Sequence, residues 1–510
     1  MSIICANCLD ENTELVIKNN DIINITNFEQ LGHLFVGNGD EFVDLQNSGY
    51  EVLSSNGKFV KIKSIMRRNV DEDLYRLQFV NGTNVLATAE HIFTLVNGNE
   101  KCVKDISIGD SIPVTKYPDN TFDELNEINL VTLFGPAEDI VIANWNKLKL
   151  QLSREVRSAV NKVMRKLRSV IHLKDPWISL KEYYEVRHIA QLDETKIILR
   201  CSNSEYTINP IFKLDSNLGK FLGYIASEGH VNRRGGHIIF ANTDESLIND
   251  FVSIVNKLFP NVLCTVNKYE HNTSPCTFVH VYGKIITRLF DGTLMYKHHS
   301  NDICLPKWFR FANNEFIFSF LASEIDGDGS VLQNHISLIS VSEQYIKDIV
   351  NICALRNIAS NVSIVSKANT IAKFSDCESA RNYNAYRLCF SLTSIDTLFN
   401  GIKPFSHKAS NIEEIKSGPS TRPYLCKVIG KSLEHYKGYV YDLETEDHHF
   451  SANGVISHNC LQIDLNKLFT GGFSTGHGTL REPNSIRSYA ALAAIAIQAN
   501  QNEQFIVKTN

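Results

Sequence analysis

A β pattern that stops near Pro118 and resumes at Pro423 constrains this chain more than any other feature. Residues 13–115 read as short strands joined by tight turns, with Asn56-Gly57 and Asn81-Gly82 set between alternating apolar runs. Asn-Gly suits these turns because a two-residue hairpin loop needs positive φ at its central positions. After Pro423 the alternation returns in YLCKVIGKSLEHYKGYVYDLETEDHHFSANGVIS. The two stretches read as one all-β domain interrupted by a long insert. A third texture, without that alternation, begins at Cys460.

The insert has a pattern of its own. From Ser216 to Ser417 an α+β arrangement occurs twice. Each copy opens with an apolar, small-residue helix ending in an acid and a glycine: LGKFLGYIASEGH, then FIFSFLASEIDGDGS. Strand-like runs follow, HIIFANTDESLINDFV and HISLISVSEQYIKDIV. The doubling predicts a pseudo-two-fold domain. Ahead of it, Asn144–Ile171 reads as one helix, with Val156, Val160, Val163, Leu167 and Val170 at helical spacing. Its cations (Lys147, Lys149, Arg154, Arg157, Lys162, Arg165, Lys166, Arg168) outnumber a single acid, Glu155, so phosphate contact stands beside an ordinary solvated face.

Composition excludes several classes. A length of 510 residues predicts two to four domains. With 43% hydrophobic and 21% charged residues, the chain has the make-up of a well-cored globular protein. A net charge of −5 argues against a uniformly basic nucleic-acid binder but allows one basic face. No run approaches the ~20 apolar residues of a membrane span, and the first residues lack the basic-then-apolar order of a signal peptide. A cytoplasmic protein without membrane partners is expected. The twelve cysteines are scattered. Cys5 and Cys8 form the one C-x-x-C pair, with no second pair to complete a zinc site, so the cysteines read as reduced thiols.

The reactive groups stand at the seams. A cysteine can attack the carbonyl that precedes it, turning an amide into a thioester, and a second thiol can capture the acyl group. An asparagine can cyclise onto its own carbonyl and cut the bond that follows. These steps are slow in a free peptide, and fixed geometry supplies effective molarities of about 10⁵ M or more. Histidine is the acid best matched to neutral pH, and donors near the carbonyl must hold the oxyanion. The parts are here: Cys8 in CLDENTEL, Thr88 and His91 in TAEH, Asp442 in VYDLE, His448 and His449 after it, and His458-Asn459-Cys460.

The chain resembles an intein, a self-splicing element of the Hint fold. The resemblance rests on CLDENTELV, NVLATAEHIF, ISIGDSI, YVYDLETEDHHFSANG and ISHNC, in the family's order. It implies that Cys8 forms the first thioester, assisted by Thr88 and His91. It implies that Cys460 takes the acyl group, that Asn459 cyclises with help from His458, and that Asp442 tunes the nucleophiles. A further histidine assists the last cleavage. DHHFSANG is one residue shorter than in many members, and His449 is preferred over His448 for that role. No cofactor is implied for splicing, and the partners of the reaction are the flanking segments in cis.

FLGYIASEG and LASEIDGDG resemble the paired motifs of LAGLIDADG homing endonucleases. Gly223, Ala226 and Ser227 in one helix and Ala322, Ser323 and Gly327 in the other would permit close approach. Glu228 and Asp328 would then meet as ligands of Mg2+ or another divalent cation and cut double-stranded DNA, the host gene that lacks the insert. There are departures: Ala226 stands where an acid is common, and Ile303 occupies a slot where the family often has lysine, with Lys297 and Lys307 as substitutes. Residues 460–502 resemble the anaerobic (class III) ribonucleoside-triphosphate reductase, strongest in GFSTGHG and REPNSIRSYAALA. Cys460 falls at an active-site position of that family. So short a fragment is not expected to act as a reductase.

The expected organisation is multi-domain: a flank over 1–7, the Hint domain over 8–116 and 418–459, an accessory basic region over 117–215, the endonuclease over 216–417 and the reductase-like flank over 460–510. A monomer is expected. The rival expectations are a remnant that no longer splices and only binds or nicks DNA, and a Hint module that cleaves without ligating.

Overall fold

The structure is a computed structural model. It describes residues 3–4, 8–19, 22–37, 39, 41–55, 57–118, 124–167, 175–269, 276–332, 335–373, 378–380, 382–390, 408, 425–459, 461–464 and 505–508. For 3–4, 335, 372–373, 378–380, 425, 461–464 and 505–508 the backbone alone is described. Two compact units are present, Met1–Phe122 with Ser420–Asn510, and Asp123–Pro419.

The first unit is all-β. Its centre is an antiparallel pair of long strands, Phe59–Phe79 and Leu425–Thr445, paired from Val428↔Phe79 to Thr445↔Ile62 with a register shift near each end. The interrupted β pattern is thereby joined. Both expected hairpins form: Tyr50–Leu53 pairs with the start of Phe59–Phe79, and Asn84–Ala87 pairs with its end. Gly57 and Gly82 take φ of 67° and 84°, the left-handed values those turns demand. Leu9–Asp10 lies between Asn84–Ala87 and the long C-terminal strand, with Leu9 opposite both Ala87 and Tyr441. Leu9, Ile65, Leu77, Val85, Ala87 and Val428, contributed from both sides of the insert, are fully buried in one core.

The second unit carries the repeat. The helix Ser216–Glu228 is followed by a sheet in the order Gly229–Asn232, His237–Asn242, Cys276–Tyr282, Cys264–Tyr269. The helix Asn314–Gly327 is followed by Ser330–Leu332, His335–Ser340, Ala385–Phe390, Ser360–Ser366 in the same order. Each helix is N-capped by a short polar side chain. Asp215 accepts from Leu218 N–H at 3.0 Å, and Asn313 from Phe316 N–H at 2.9 Å. Each sheet packs one face on helices through residues such as Ile238, Phe240, Val279 and, in the second copy, Ile336 and Leu388. Burying such a side chain contributes about 1.5–3 kcal/mol, against roughly 0–1 for a surface ion pair, so this core dominates the unit's stability.

The two motif helices cross at glycine. A Cβ on Gly219 would strike the Phe316 carbonyl, and one on Gly223 the Phe320 carbonyl. At the far end a Cβ on Gly327 would strike Ser227 Oγ. Residues 128–214 do not stand apart, since Ile128, Trp145, Val160, Tyr183 and Leu214 join Phe221 and Phe316 in one core. The helix expected over Asn144–Ile171 is two helices, Trp145–Gln151 and Arg154–Leu167. Ser153 breaks it: its Oγ accepts from Val156 N–H at 3.2 Å, starting the second helix, while Leu152 is extended (ψ 150°). Residues 168–171 of that expectation lie outside the described residues.

Because the atom facing Gly223 is backbone, Gly223→Val should destabilise the second unit by about 1–3 kcal/mol. Urea unfolding followed by far-UV circular dichroism measures this. An unchanged midpoint would show that the helices do not cross there.

Candidate functional site

The splicing-type residues gather at two neighbouring places in the first unit. Cys8 is fully buried. Its amide N–H donates to Thr88 Oγ1 at 2.9 Å, and Thr88 N–H donates to the Cys8 carbonyl at 2.9 Å. Pairing of Leu9 with Tyr441 places Asp442, one step along the antiparallel register, across from Cys8 on the other side. Asp442 is buried, and its Oδ1 accepts from Leu443 N–H at 2.8 Å. The strand that begins at Cys8 is thus flanked by Thr88 and by Asp442.

TAEH is a turn. His91 N–H donates to the Thr88 carbonyl at 3.1 Å, which brings both side chains to one place. The His91 ring is buried against Phe93, with Nε2 2.7 Å from Ser457 Oγ. Ser457 is fully buried and lies two residues before Asn459. This hydrogen bond links the N-terminal group to the C-terminal one.

At the C-terminal place, His449–Ala452 and Val455–His458 form a hairpin that pairs His449 with His458. Asn459 is fully buried, and its N–H donates to the His448 carbonyl at 3.1 Å. Its carboxamide has complementary partners in one orientation: Oδ1 accepts from Thr445 N–H at 2.8 Å, and Nδ2 faces the His448 carbonyl and His448 Nδ1, each at 3.3 Å. His458 Nδ1 donates to the Asn459 carbonyl at 2.7 Å, the carbonyl of the bond that would be cut. Burial first, then the neighbouring histidines, hold His458 below the usual imidazole range, against the pull of that carbonyl and Glu100.

The two adjacent histidines differ. His448 adopts φ 62°, which turns its ring to Asn459. His449 Nδ1 donates to the Asp447 carbonyl at 2.8 Å and its Nε2 faces Thr94 Oγ1 at 3.4 Å. The His449 ring meets His458 edge-on, with centroids 5.1 Å apart. Cys460 lies outside the described residues.

In the second unit the motif helices deliver Glu228, the last helical residue, and Asp328, the C-cap, to a common neighbourhood. Burial raises both carboxyls, and the charge of Asp328 raises Glu228 further. Two lysines seat themselves on the helix ends. Lys297 is buried, and its Nζ donates to the Ile225 and Ala226 carbonyls at 2.6 and 2.7 Å. Lys408 Nζ donates to the Ile325 and Asp326 carbonyls at 2.8 Å each. Each ammonium closes free carbonyls and meets the negative end of a helix dipole. Of the two lysines named as substitutes for the slot at buried Ile303, Lys297 is buried at this place and Lys307 is exposed.

Sequence reasoning missed Ser457, Lys408 and a buried third acid. Glu324 is 2% exposed and raised by burial, with Asp328 and Lys297 in its field. Only the repeat offered a signal for Lys408: whatever caps the first helix should have a counterpart for the second. Among the described residues no group of three or more His, Cys, Asp or Glu could hold a metal. Two converging carboxylates do fit a hard ion of the Mg2+ kind, which binds through one or two carboxylates and takes its other oxygens from water and phosphate.

Comparison with known proteins bears on one of these seams, the one at Asn459. An uncharacterised protein of Methanocaldococcus jannaschii is 23% identical over 82% of this chain and 48% of its own length. Elongation factor 2 of Methanopyrus kandleri is 21% identical over 79% of this chain and 37% of its own. The chain thus spans less than half the length of these curated relatives. Among solved structures, variants of the homing endonuclease I-DmoI align at 12% identity and TM-score 0.28, covering 38% of this chain and 98% of theirs. A transcription factor IIB Mvu mini-intein aligns at 19% identity and TM-score 0.20, covering 22% of this chain and 71% of its own. Residues 430–505 match the anaerobic ribonucleoside-triphosphate reductase family. Residues 18–459 match the intein splicing domain family. That match covers most of the chain and stops on the buried Asn459 whose carbonyl His458 holds, so the chain belongs to the intein family.

Proposed function

We propose that the first unit excises residues 8–459 and joins the flanks in cis. The observation that carries this reading is the path Cys8–Thr88–His91–Ser457, which ends two residues from Asn459. Cys8 Sγ attacks the Asn7 carbonyl carbon; the Asn7–Cys8 C–N bond breaks and the freed nitrogen takes a proton. Thr88 Oγ1 already holds that nitrogen's N–H, and His91 stands one turn away to supply the proton. Cys460 Sγ then takes the acyl group and Cys8 leaves as a thiol. Asn459 Nδ2 attacks its own carbonyl carbon and the bond to Cys460 breaks, with the oxyanion held by His458 Nδ1 and the Nδ2 proton carried by His448 to the departing Cys460 nitrogen, which leaves as an amine. We therefore assign the assisting role to His448, with His449 as the support that orients His458. The last step is the shift of the thioester to the amide joining Asn7 to Cys460. Asp442, across from Cys8, is read as tuning the nucleophiles.

The second unit is read as a nuclease for duplex DNA. Its support is the doubled helix-and-sheet arrangement, the paired Glu228 and Asp328, and the sheet faces left uncovered at Asn267, Tyr269, Asn361 and Ser363. A divalent cation bound there would polarise the phosphate and activate water. Lys297 and Lys408 fix the helix ends so that the two carboxylates stay aligned. The flank after residue 459 is read as part of a reductase without activity of its own.

Expression of variants in a neutral host, with masses of all products, tests the splicing reading. Cys8→Ala should abolish ligation yet release the C-terminal flank, whereas Asn459→Ala should retain it. Ligated product from either variant would overturn the assignment.

A pH series on Cys8→Ala tests His458. Since burial holds its imidazole below the ordinary value, it takes up a proton only as the pH falls below that range, which strengthens donation to the Asn459 carbonyl. Release of the flank should be faster at pH 6 than at pH 8, and slower by about 10²-fold or more in His448→Ala. A rate that climbs with pH would instead make His458 a base.

Asp328→Asn should abolish cutting of the uninterrupted gene and leave splicing unchanged, as read by gel assay and by mass. Retained cutting would remove Asp328 from the nuclease site.

A further inference from the structure

We infer that the helix Arg154–Leu167 is a second duplex-DNA contact, gripping phosphates beyond the stretch reached by the sheets. The inference rests on the nuclease reading above. The helix buries Val160 and Met164 and presents Arg154, Ser158, Lys162, Arg165 and Lys166 on the other side. At 3.6 residues per turn these five fall within an arc of about 120°, and Arg154 to Lys166 spans about 18 Å along the axis. Duplex DNA carries roughly one charge per 1.7 Å, so such a row faces several phosphates at once.

The ion pairing around this helix points to an absent polyanion rather than to a solvated surface. Nearby cations of the unit have acids: Arg187 with Glu194 at 2.8 Å, Lys196 with Asp193 at 3.2 Å, Arg288 with Asp139 at 2.7 Å. Arg157 turns inward, and its guanidinium donates to the Leu150 and Leu152 carbonyls at 3.1 and 3.0 Å. Arg154, Lys162, Arg165 and Lys166 have no acidic partner among the described residues. The one acid in the arc, Glu155, accepts hydrogen bonds from its own backbone N–H and the Ser153 hydroxyl, so it serves the helix start. In a chain of net charge −5, four unpaired cations on one face of one helix are a local reversal of sign. The helix shares its core with the motif helices, so it belongs to the unit that carries Glu228 and Asp328.

Binding of the full chain to a long duplex carrying the uninterrupted host-gene junction, measured over a range of salt, tests this. Replacing Arg154, Lys162, Arg165 and Lys166 together by Gln should weaken binding and reduce the slope of log Kd against log salt by about 3 to 4. Cutting at saturating protein should persist, and a duplex trimmed to the core protected by the variant should bind both proteins equally. The swap Arg154→Lys, Lys162→Arg, Arg165→Lys, Lys166→Arg should bind as the parent does. If the Gln variant keeps the parent's affinity and slope, or the charge-keeping swap loses as much as the Gln variant, the inference is wrong. Equal loss on single-stranded RNA and duplex DNA would also overturn it. A parent chain that neither binds nor cuts the junction would instead defeat the nuclease reading beneath it.

Discussion

The pairing of Phe59–Phe79 with Leu425–Thr445 is the constraint on which the first unit depends. It joins segments separated in sequence by the whole insert, and its register decides the chemistry. A slip of one residue would send every side chain of the C-terminal strand to the opposite face. Asp442 would then leave the position across from Cys8, and the hairpin carrying Ser457, His458 and Asn459 would lose its alignment with His91. The loop-closure cost of so distant a pairing grows only slowly with length, which explains how a β fold tolerates an insert of this size.

Opposite electrostatic conditions hold at the two candidate sites. The splicing-type residues sit in a dry interior, where the hydrogen bonds at Cys8 N–H and the Asn459 carbonyl act in a low dielectric. The paired ends of the motif helices hold like charges together. Burial and mutual repulsion oppose ionisation of Glu228 and Asp328, while Lys297 and Lys408 oppose that tendency from opposite helix ends. Glycine contacts at Gly219 and Gly223 keep the helices close enough for the acids to meet. The packing of the helix pair therefore sets the electrostatics of its end.

Much of this was legible in the sequence because the signals were local. Asn81-Gly82 specifies a left-handed turn, and the doubled motif specifies a pair of glycine-packed helices. The seam residues declare themselves by chemistry. Ser457 does not, because a serine in an alternating strand looks like any other. Lys408 lies 80 residues beyond the motif end it caps, a distance shown by its bonds to Ile325, Asp326 and Gly329 at separations of 83, 82 and 79. The contrast between His448 and His449 hangs on one left-handed residue that spacing does not reveal. The break at Ser153 was hidden because valine periodicity runs on across a capping residue.

If one β fold brings both seams into reaction with each other, the chain must cut and rejoin itself. The most direct measurement is the intact mass of the unaltered chain after expression in a neutral host. Two products are expected, a released segment of residues 8–459 and a short chain with Asn7 joined to Cys460. A single unbroken chain of 510 residues from folded protein, stable over time, would contradict it.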